Sequence, residues 1–344
     1  NQTLKISHYL FHKMNPSSLV SILSFSLLFL SQLSSSERCH PNDKKALLEF
    51  KKGLGNPDDL GNWDPKTDCC TDWYGPTIKC DEKTNRINVI AFTKMDMAGY
   101  LSPAIGDLTY LTTFSIHNVR NLTGPIPSTI VKLTNLEFFR ISQTNISGPV
   151  PEVLSRLKSL TYINLSYNKL VGTIPPSLSQ LPHLEFLGLD RNKLSGPIPE
   201  FFSKLAPNLT YIYLGHNQLT GIVPTSFAGL SIETIDLSRN MLEGDISFLF
   251  GKEKNTFQML LDRNKFEFDM SKLTFGKRLW RLDLNHNKIY GSLPKIMSKN
   301  PWQLLNVSYN RLCGKIPKGE NMQRFEIYEY FHNKCLCGAP LPPC

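Results

Sequence analysis

A phrase of about 24 residues recurs along most of this chain of 344 residues. Clear copies read YINLSYNKLVGTIP, IDLSRNMLEGDI, LDLNHNKIYGSLP and LNVSYNRLCGKIP. Aligned on their glycine, the copies fall at Gly99, Gly124, Gly148, Gly172, Gly196, Gly221, Gly244, Gly291 and Gly314. One interval has about twice the usual length and contains a copy, LLDRNKFEFDM, whose glycine is replaced near Phe268. We therefore count ten repeats, and a fixed period of this length indicates a fold made by stacking one unit.

Each position of the phrase has a physical task. Ile163 and Leu165 alternate with polar residues, which predicts a short strand with one buried face. Asn168 stands where the chain leaves this strand, and its amide can donate to and accept from backbone groups of adjacent coils. Gly172 permits a tight backbone turn. The asparagine recurs, which predicts a ladder, at Asn192, Asn217, Asn240, Asn264, Asn287 and Asn310.

The pattern LxxLxLxxNxLxGxIP predicts a leucine-rich repeat solenoid of the α/β class. We expect a right-handed, curved stack of about ten 24-residue repeats, with a parallel sheet on the concave face and short helical turns on the convex face. A single coil cannot bury its own apolar face, so the stack needs sealed ends. The predicted organisation is upstream sequence and a leader at 1–36, a cysteine-rich cap at 37–84, ten repeats at 85–312 and a second cysteine-rich cap at 313–344.

The first 36 residues predict a secretory leader. The expected start is Met14, because the apolar run SLVSILSFSLLFLSQL follows it and three serines close the run before Glu37. A membrane anchor is the alternative, but serines interrupt the run and it is shorter than the roughly 20 apolar residues that a span needs. No later stretch is apolar enough to cross a membrane, so we expect a secreted, extracellular protein.

The formal net charge is +9, and removal of the leader with Lys5 and Lys13 leaves +7. A basic surface suggests polyanionic surroundings. For a secreted protein an acidic polysaccharide such as pectin is a better candidate than nucleic acid, and solubility alone is the alternative explanation.

The eight cysteines fall into two clusters at the ends of the repeats. An even number behind a leader argues for disulfides, and neither cluster has the two spaced CxxC pairs of a zinc site, so we expect no metal. Four cysteines allow three pairings in each cluster. We expect Cys39–Cys69, Cys70–Cys80, Cys313–Cys335 and Cys337–Cys344. With Trp63 and a helix in DKKALLEFKKGL whose N-cap is Asp43, the first two bridges are expected to close the first coil.

Several segments resemble a known family. DKKALLEFKKGLGNP, followed by W, DCC, W and C, resembles the N-terminal cap of plant extracellular leucine-rich repeat proteins, and GxIP is the plant type of repeat. Two further segments resemble polygalacturonase-inhibiting proteins, namely LSRNMLEGDISFLFG and the tail LNVSYNRLCGKIPKGENMQRFEIYEYFHNKCLCGAPLPPC. The resemblance as a whole covers the chain from Glu37 to Cys344. The resemblance implies a plant defence protein of the cell wall or apoplast. Such a protein binds fungal or insect polygalacturonases and blocks pectin cleavage, which favours longer oligogalacturonides that the plant senses.

The variable strand positions are the candidate binding surface, because strand side chains project in fixed rows on the concave face. Aromatic side chains are expected to line one side, at Phe138, Tyr162, Phe186, Tyr211, Phe257 and Trp280. Carboxylates run alongside, at Glu185, Asp190, Glu233, Asp236, Asp262 and Asp283. Protein interfaces favour aromatic anchors beside charges. An acidic row suits a partner with a positive cleft, as expected of an enzyme that holds an acidic polymer.

The candidate partner-binding residues are therefore Arg140, Tyr162, Asn164, Glu185, Asp190, Tyr211, Tyr213, Asp236, Phe257, Asp262 and Asp283. The alternative is that Arg191, Arg239 and Arg263 each pair with the carboxylate just before them and leave a neutral face. The resemblance implies that Asp190 and Asp236 match acidic positions that govern which enzymes are inhibited. Asn164 stands where a carboxylate often occurs, which leaves the target range open. Glycosylation sequons begin at Asn121, Asn145, Asn164, Asn208 and Asn306.

Other functions find less support in the sequence. There is no GxSxG, phosphate loop or HExxH motif, and we interpret His216 and His286 as interface or solvated residues, so we expect no enzymatic activity. We also expect a monomer with no cofactor. A soluble peptide-binding or co-receptor protein is one alternative. An ice-binding protein on the same scaffold is another, although ice needs a flat array of like residues and the strand positions mix Arg, Asp, Tyr and Trp.

Overall fold

The computed structural model describes residues 38–73, 78–200 and 208–344. The predicted leader at 1–36 lies outside the described residues. The unit that begins at Cys39 and ends at Cys344 is described below. None of the helices in the described part of the chain is both long and apolar enough to cross a membrane.

Short strands dominate the fold because each repeat contributes one or two of them. In chain order they are β1 Ile78–Cys80, β2 Ile87–Thr93, β3 Ala98–Tyr100, β4 Thr113–His117, β5 Asn121–Gly124, β6 Phe138–Ser142, β7 Asn145–Pro149, β8 Tyr162–Asn164, β9 Lys169–Gly172, β10 Phe186–Gly188, β11 Lys193–Pro197, β12 Tyr211–Tyr213, β13 Gln218–Ile222, β14 Thr234–Asp236, β15 Met241–Gly244, β16 Gln258–Leu260, β17 Lys265–Phe266, β18 Arg281–Asp283, β19 Tyr290–Gly291, β20 Leu304–Asn306, β21 Arg311–Lys315 and β22 Cys335–Cys337.

The concave face is formed by one sheet with the order β1-β2-β4-β6-β8-β10-β12-β14-β16-β18-β20, called here the long sheet. β1 runs antiparallel to β2, and the strands that follow pair in parallel. Successive coils stay in register, so Tyr162 lies beside Phe186 and Phe186 beside Tyr211. Ile163 and Leu165 are fully buried, as the alternation predicts. The predicted leucine-rich repeat solenoid is therefore confirmed.

A second sheet, called here the flank sheet, runs beside the long sheet in the order β17-β15-β13-β11-β9-β7-β5-β3. Apart from β17, whose coil lacks the glycine, its strands end at the repeat glycine or one residue after it. These glycines adopt positive φ, for example 84° at Gly244. The copy without a glycine carries a buried Phe268 in that place. A side chain disfavours this backbone conformation. The described strands accordingly break here, since β19, β21 and β22 form a separate sheet.

The convex side carries the predicted short helical turns, and they are 3₁₀ helices. They span Pro103–Asp107, Ser128–Lys132, Glu152–Arg156, Pro176–Gln180, Thr225–Gly229, Ser247–Leu249, Met270–Lys272 and Lys295–Lys299. Three to five residues is the usual length for this geometry. Two further 3₁₀ helices, Asp58–Leu60 and Ile327–Glu329, lie near the ends of the stack, and a short α-helix, α2, spans Glu320–Gln323.

The predicted asparagine ladder is present in every coil from Asn168 onwards. The Asn240 Nδ2 group donates to the Leu237 carbonyl at 3.1 Å within its own coil and to the Leu214 carbonyl at 3.0 Å in the preceding coil. Its Oδ1 atom accepts from the Leu219 N–H at 3.0 Å. Each buried amide thus satisfies backbone groups of two coils that have no strand partner.

The ladder continues into the C-terminal segment that the sequence assigns to the cap. Asn333 donates to the Val307 and Tyr330 carbonyls at 3.0 and 2.8 Å, and accepts from Leu312 at 3.0 Å. Gly338 has the positive φ of a repeat glycine, 87°. The phrase YFHNKCLCG therefore forms a further, degenerate coil that closes the stack.

The N-terminal cap is built on α1, Pro41–Gly53. The expected N-cap at Asp43 is wrong, because the helix begins earlier and His40 accepts from the Asn42 N–H. Asp43 is instead fully buried, accepting from Arg86 Nε at 2.9 Å and from the Ile87 N–H at 2.8 Å. It thereby ties α1 to β2, the first strand of the stack that pairs in parallel.

Disulfides close both caps. The pairs are Cys39–Cys69, Cys70–Cys80, Cys313–Cys335 and Cys337–Cys344, which is the expected pairing out of the three possible in each cluster. Trp63 is buried and stacks on Trp73 with ring centroids 5.1 Å apart. The bridges therefore hold a small aromatic core against the first coil.

Removal of one ladder amide should destabilise the whole stack. Asn240→Ala leaves buried carbonyls and one N–H group without a partner, and we expect a loss of about 3 kcal/mol in the free energy of unfolding. Met241→Ala, at an exposed neighbour, is the control and should change little. Denaturant unfolding followed by circular dichroism measures both, and equal stability of the two variants would contradict the role given to the ladder.

Candidate functional site

The long sheet sorts the predicted binding residues into columns that run across the coils. The first column contains Phe138, Tyr162, Phe186 and Tyr211 in register. The middle column, two residues further along each strand, contains Arg140, Asn164, Gly188, Tyr213, Asp236, Leu260 and Asp283. Asp190 and Asp262 lie a further two residues along their coils, in a third column with Ser166, Gly215 and Ser238. The position after the third column carries long polar and aromatic side chains in successive coils, and we call these side chains the rim.

The first column is an aromatic stack. The Tyr162 ring lies 4.2 Å from the Phe138 ring and 4.2 Å from the Phe186 ring, measured between centroids. Tyr213 of the middle column also packs on Phe186, at 5.3 Å. The rings are half-buried against each other. The stack therefore presents ring edges and one end face to a partner, already fixed in position.

The expected single aromatic row is wrong, because the aromatic residues form two groups. Phe257 and Trp280 lie one residue before the first column, whose places in these coils belong to Gln258 and Arg281. Their rings stack on each other with centroids 6.1 Å apart. Thr234, a buried residue, occupies the first column between the two groups.

Four carboxylates lie together at the centre of the concave face, and we call Asp190, Asp236, Asp262 and Asp283 the acidic cluster. Two belong to the middle column and two to the third. Gly215 gives this arrangement room, because a Cβ atom there would overlap the Asp236 carboxylate. Asp236 accepts from the Ser238 N–H at 2.9 Å and from the Ser238 hydroxyl at 2.6 Å. Asp283 accepts from the Asn285 N–H at 3.1 Å, and Asp190 from the Ser166 hydroxyl.

Burial raises the pKa of all four carboxyl groups. The largest shift is at Asp262, whose pKa rises to about 6 through burial and the nearby Asp283 charge. Serine and asparagine donors offset part of the shift at the other three carboxylates, whereas no side chain donates a hydrogen bond to Asp262 among the described residues. The cluster thus holds incompletely solvated negative charge, a condition under which a partner cation binds strongly.

The rim adds positive charge to one side of the acidic cluster. Arg191, Arg239 and Arg263 all adopt left-handed backbone conformations, with φ between 53° and 54°. The alternative that each pairs with the preceding carboxylate is not met within the part of the chain that the structure describes. Arg239 Nε instead lies 3.9 Å from Asp262 of the next coil, and the Arg191 guanidinium lies over the Tyr167 ring. The acidic and basic groups therefore lie side by side and are joined by the Arg239–Asp262 ion pair.

Neither His216 nor His286 on the concave face pairs with a carboxylate in the described structure. His286 Nδ1 lies 2.6 Å from the Asn285 amide oxygen. Burial and the neighbouring arginine charges lower the pKa of both His216 and His286. The charged form of each imidazole is therefore disfavoured, and a place for either histidine at an interface stays a prediction.

The remaining predicted residues flank these groups. Arg140 donates to the Ser142 hydroxyl at 2.8 Å, and Asn164 donates to the Tyr162 hydroxyl at 3.1 Å. Glu185 is exposed before its strand. Sequence reasoning missed Arg278, whose Nη1 lies 3.6 Å from Glu233, because it precedes the strand rows. The cation-rich phrase GKRLWRL is the sequence feature that could have indicated Arg278.

The structure places the sequons on different faces. Asn121 and Asn208 are exposed, whereas Asn164 and Asn306 are half-buried on the long sheet. Asn145 donates its amide to the Arg120 carbonyl at 2.6 Å. Glycosylation at these five positions stays a prediction.

Comparison with known proteins agrees with this geometry. A leucine rich repeat family model matches residues 134–194 and 182–242, and a leucine rich repeat N-terminal domain model matches residues 40–81. A polygalacturonase inhibitor of Pyrus communis is 59% identical over 326 residues, covering 94% of this chain and 98% of that protein. A polygalacturonase inhibitor of Vitis vinifera is 59% identical, covering 90% and 92%.

The chain belongs to the polygalacturonase inhibitor family. Among solved structures, a plant ice-binding protein superposes with a TM-score of 0.84 at 46% identity, covering 89% of this chain and 98% of that chain. The shared scaffold therefore supports more than one kind of recognition.

The raised pKa of Asp262 can be tested by measuring how the free energy of unfolding depends on pH. Because the folded-state pKa of Asp262 lies above the usual 3.8, its ionisation destabilises the fold. Asp262→Asn should therefore stabilise the protein by up to about 3 kcal/mol at pH 7.5. The difference should shrink as the pH falls through 6 and disappear only below the unfolded-state value of 3.8, where the wild-type carboxyl is protonated in both states.

Denaturant titrations of the wild type and the variant at several pH values measure this difference. Asp269→Asn is the matched control, because hydrogen bonds from Ser271 lower the pKa of the Asp269 carboxyl and the substitution should not stabilise. If the difference in unfolding free energy between Asp262→Asn and the wild type did not depend on pH, the pKa of the Asp262 carboxyl would not be raised by the fold.

Proposed function

We propose that this protein binds polygalacturonases through the concave face of its long sheet and inhibits pectin cleavage. The observation that carries the proposal is the acidic cluster, four poorly solvated carboxylates beside an aromatic stack, in a chain of the inhibitor family. An enzyme that holds polygalacturonate needs basic residues along its cleft. The acidic cluster offers these residues the same charge as the substrate.

The physical basis of this recognition is preorganisation. The carboxylates are held by Ser238, Asn285 and Ser166, so little side-chain freedom is lost when a partner binds. The aromatic stack is likewise fixed before binding. Aromatic anchors next to partly desolvated charges are the usual composition of an interface hot spot.

We also propose the setting of this activity. Four disulfides suit an oxidising, extracellular compartment, and the family relationship suggests the plant cell wall or apoplast. The partner is a fungal or insect polygalacturonase, and the basic rim and positive net charge would tolerate contact with pectin. The protein acts as a monomer, without a cofactor, and has no catalytic activity of its own.

Ice binding is the second candidate function, and the similarity to a plant ice-binding protein favours it. The concave face argues against it, because stacked aromatics, carboxylates and arginines do not form a flat array of like groups. Thermal hysteresis above that of an inert protein of equal concentration would support ice binding for this chain, and hysteresis at the control level would remove it.

The proposed inhibition is tested by measuring reducing-end release from polygalacturonate. A panel of fungal and insect polygalacturonases is assayed with and without the purified secreted protein. We expect saturable inhibition of at least one enzyme. If the folded protein, as confirmed by circular dichroism, inhibited no enzyme of the panel, the result would favour peptide perception or ice binding as the function.

Removing one charge from the cluster should weaken inhibition without unfolding. Asp236→Asn keeps the shape and loses the charge, and we expect about tenfold weaker inhibition, in line with the loss of one charged interface contact. Glu243→Gln, at an exposed position on the flank sheet, is the matched control and should inhibit like the wild type. Equal inhibition constants for both variants would exclude the acidic cluster from the interface.

A further inference from the structure

A pocket opens at the edge of the long sheet, beside the acidic cluster, where two members of the predicted aromatic row meet residues that the sequence analysis did not select. Its volume is about 470 Å³, and it is lined by Phe257, Lys277, Arg278, Trp280, Pro301 and Gln303. The stacked rings of Phe257 and Trp280 belong to adjacent coils. We call this site the edge pocket.

Trp280 is distinguished by its access to solvent. The other three tryptophans of the chain, Trp63, Trp73 and Trp302, are between 0% and 3% exposed. Trp280 is half-buried, and nothing in the described structure covers the open side of its ring. A solvent-facing pair of stacked aromatics gains stability when a partner covers it.

The sign of the charge reverses at the edge pocket. Lys277 and Arg278 are both exposed at the pocket. Arg278 Nη1 is 3.6 Å from the Glu233 carboxylate, whereas Lys277 lies within ion-pair distance of no carboxylate in the described residues. The pocket is therefore locally positive, although the neighbouring acidic cluster is negative.

The two sites lie close enough for one partner to cover both. Trp280 is the residue just before β18, and Asp283 is the last residue of that strand. A separation of three residues corresponds to roughly 10 Å of extended strand. A partner that places cations over the acidic cluster thus reaches the edge pocket with the adjoining part of its surface.

We propose that the edge pocket takes an acidic side chain, aspartate or glutamate, of the polygalacturonase bound on the concave face. The proposal rests on the function proposed above and adds a second contact of opposite charge to it. The carboxylate would meet Lys277 and Arg278, while the aliphatic part of the side chain and its neighbours would cover Phe257 and Trp280.

Charge favours a protein side chain over a polygalacturonate chain as the occupant. A polymer with one carboxylate on each ring would extend from the pocket onto the acidic cluster, where like charges repel it. A folded partner can instead present a carboxylate and a group of cations roughly 10 Å apart. Two contacts of opposite sign also fix the orientation of the partner, because a reversed complex would bring like charges together.

The four tryptophans allow a direct test by fluorine NMR. The full secreted protein is produced with 5-fluorotryptophan, and Trp280→Phe identifies the Trp280 resonance. A polygalacturonase that the protein inhibits is then added without label. We expect the Trp280 resonance to shift or broaden, while the signals of the three buried tryptophans stay near their free positions.

Other outcomes of this experiment would overturn the proposal. An unchanged Trp280 resonance in the presence of an enzyme that is fully inhibited would exclude the edge pocket from the interface and leave the proposed function intact. A shift caused by oligogalacturonate alone, and not by the enzyme, would assign the pocket to a saccharide. If the protein inhibits no enzyme of the panel, the proposed function fails together with the pocket assignment.

Variants test the charge and the aromatic contact separately. The double variant Lys277→Glu and Arg278→Glu should weaken binding of the enzyme at least tenfold, and Phe257→Ala about thirtyfold, as for an interface hot spot. The double variant Lys295→Glu and Lys318→Glu, at exposed lysines on the convex side, carries the same change in net charge and should bind like the wild type. Equal binding by the two double variants, with unchanged unfolding curves, would overturn the proposal.

Discussion

The hydrogen bonds of the asparagine ladder are the interaction on which the rest of this structure depends. From β4 onwards each coil leaves its strand in the long sheet after only three to five residues, and the backbone groups at that bend have no strand partner. One buried amide, for example that of Asn192, donates to carbonyls of its own and the preceding coil, and accepts an N–H from the preceding coil. The ladder fixes the spacing of the coils, so every side-chain column on the concave face has a defined position.

This rigidity keeps the four carboxylates of the acidic cluster close together. Four carboxylates that are raised in pKa by burial destabilise the face that carries them, and a flexible loop would relax to separate them. Here the strands hold the backbone, Gly215 makes room for Asp236, and hydroxyl and amide donors stabilise three of the charges. The stability of the stack offsets the unfavourable electrostatics, which a partner with cations then relieves.

The sequence predicted the features that depend on the period. Strands, buried positions such as Ile163, the ladder and the curved sheet follow from 24-residue spacing and alternation, because a repeated environment selects a repeated residue type. Features that break the period were not predictable in the same way. The interruption of the flank sheet at Phe268, the cap at His40 and the degenerate coil at Asn333 each depend on a local exception.

The binding face was predicted as a set of positions but not as an arrangement. The variable positions named from the sequence do lie on the long sheet, yet the aromatic residues divide into two groups because Phe257 and Trp280 stand one residue earlier than the others. Burial, pKa shifts and the pairing of Arg239 with Asp262 depend on contacts between coils, which a single repeat does not specify. Arg278 was overlooked because it precedes the strand.

The proposed mode of binding requires that the acidic cluster is covered when an inhibited polygalacturonase binds. Carbodiimide labelling of carboxyl groups, read residue by residue by mass spectrometry in the free and bound protein, measures this directly. The account predicts that Asp190, Asp236, Asp262 and Asp283 lose labelling in the complex, while Glu243 on the flank sheet is labelled equally in both states. Unchanged labelling of the cluster, with protection on the flank sheet instead, would contradict it.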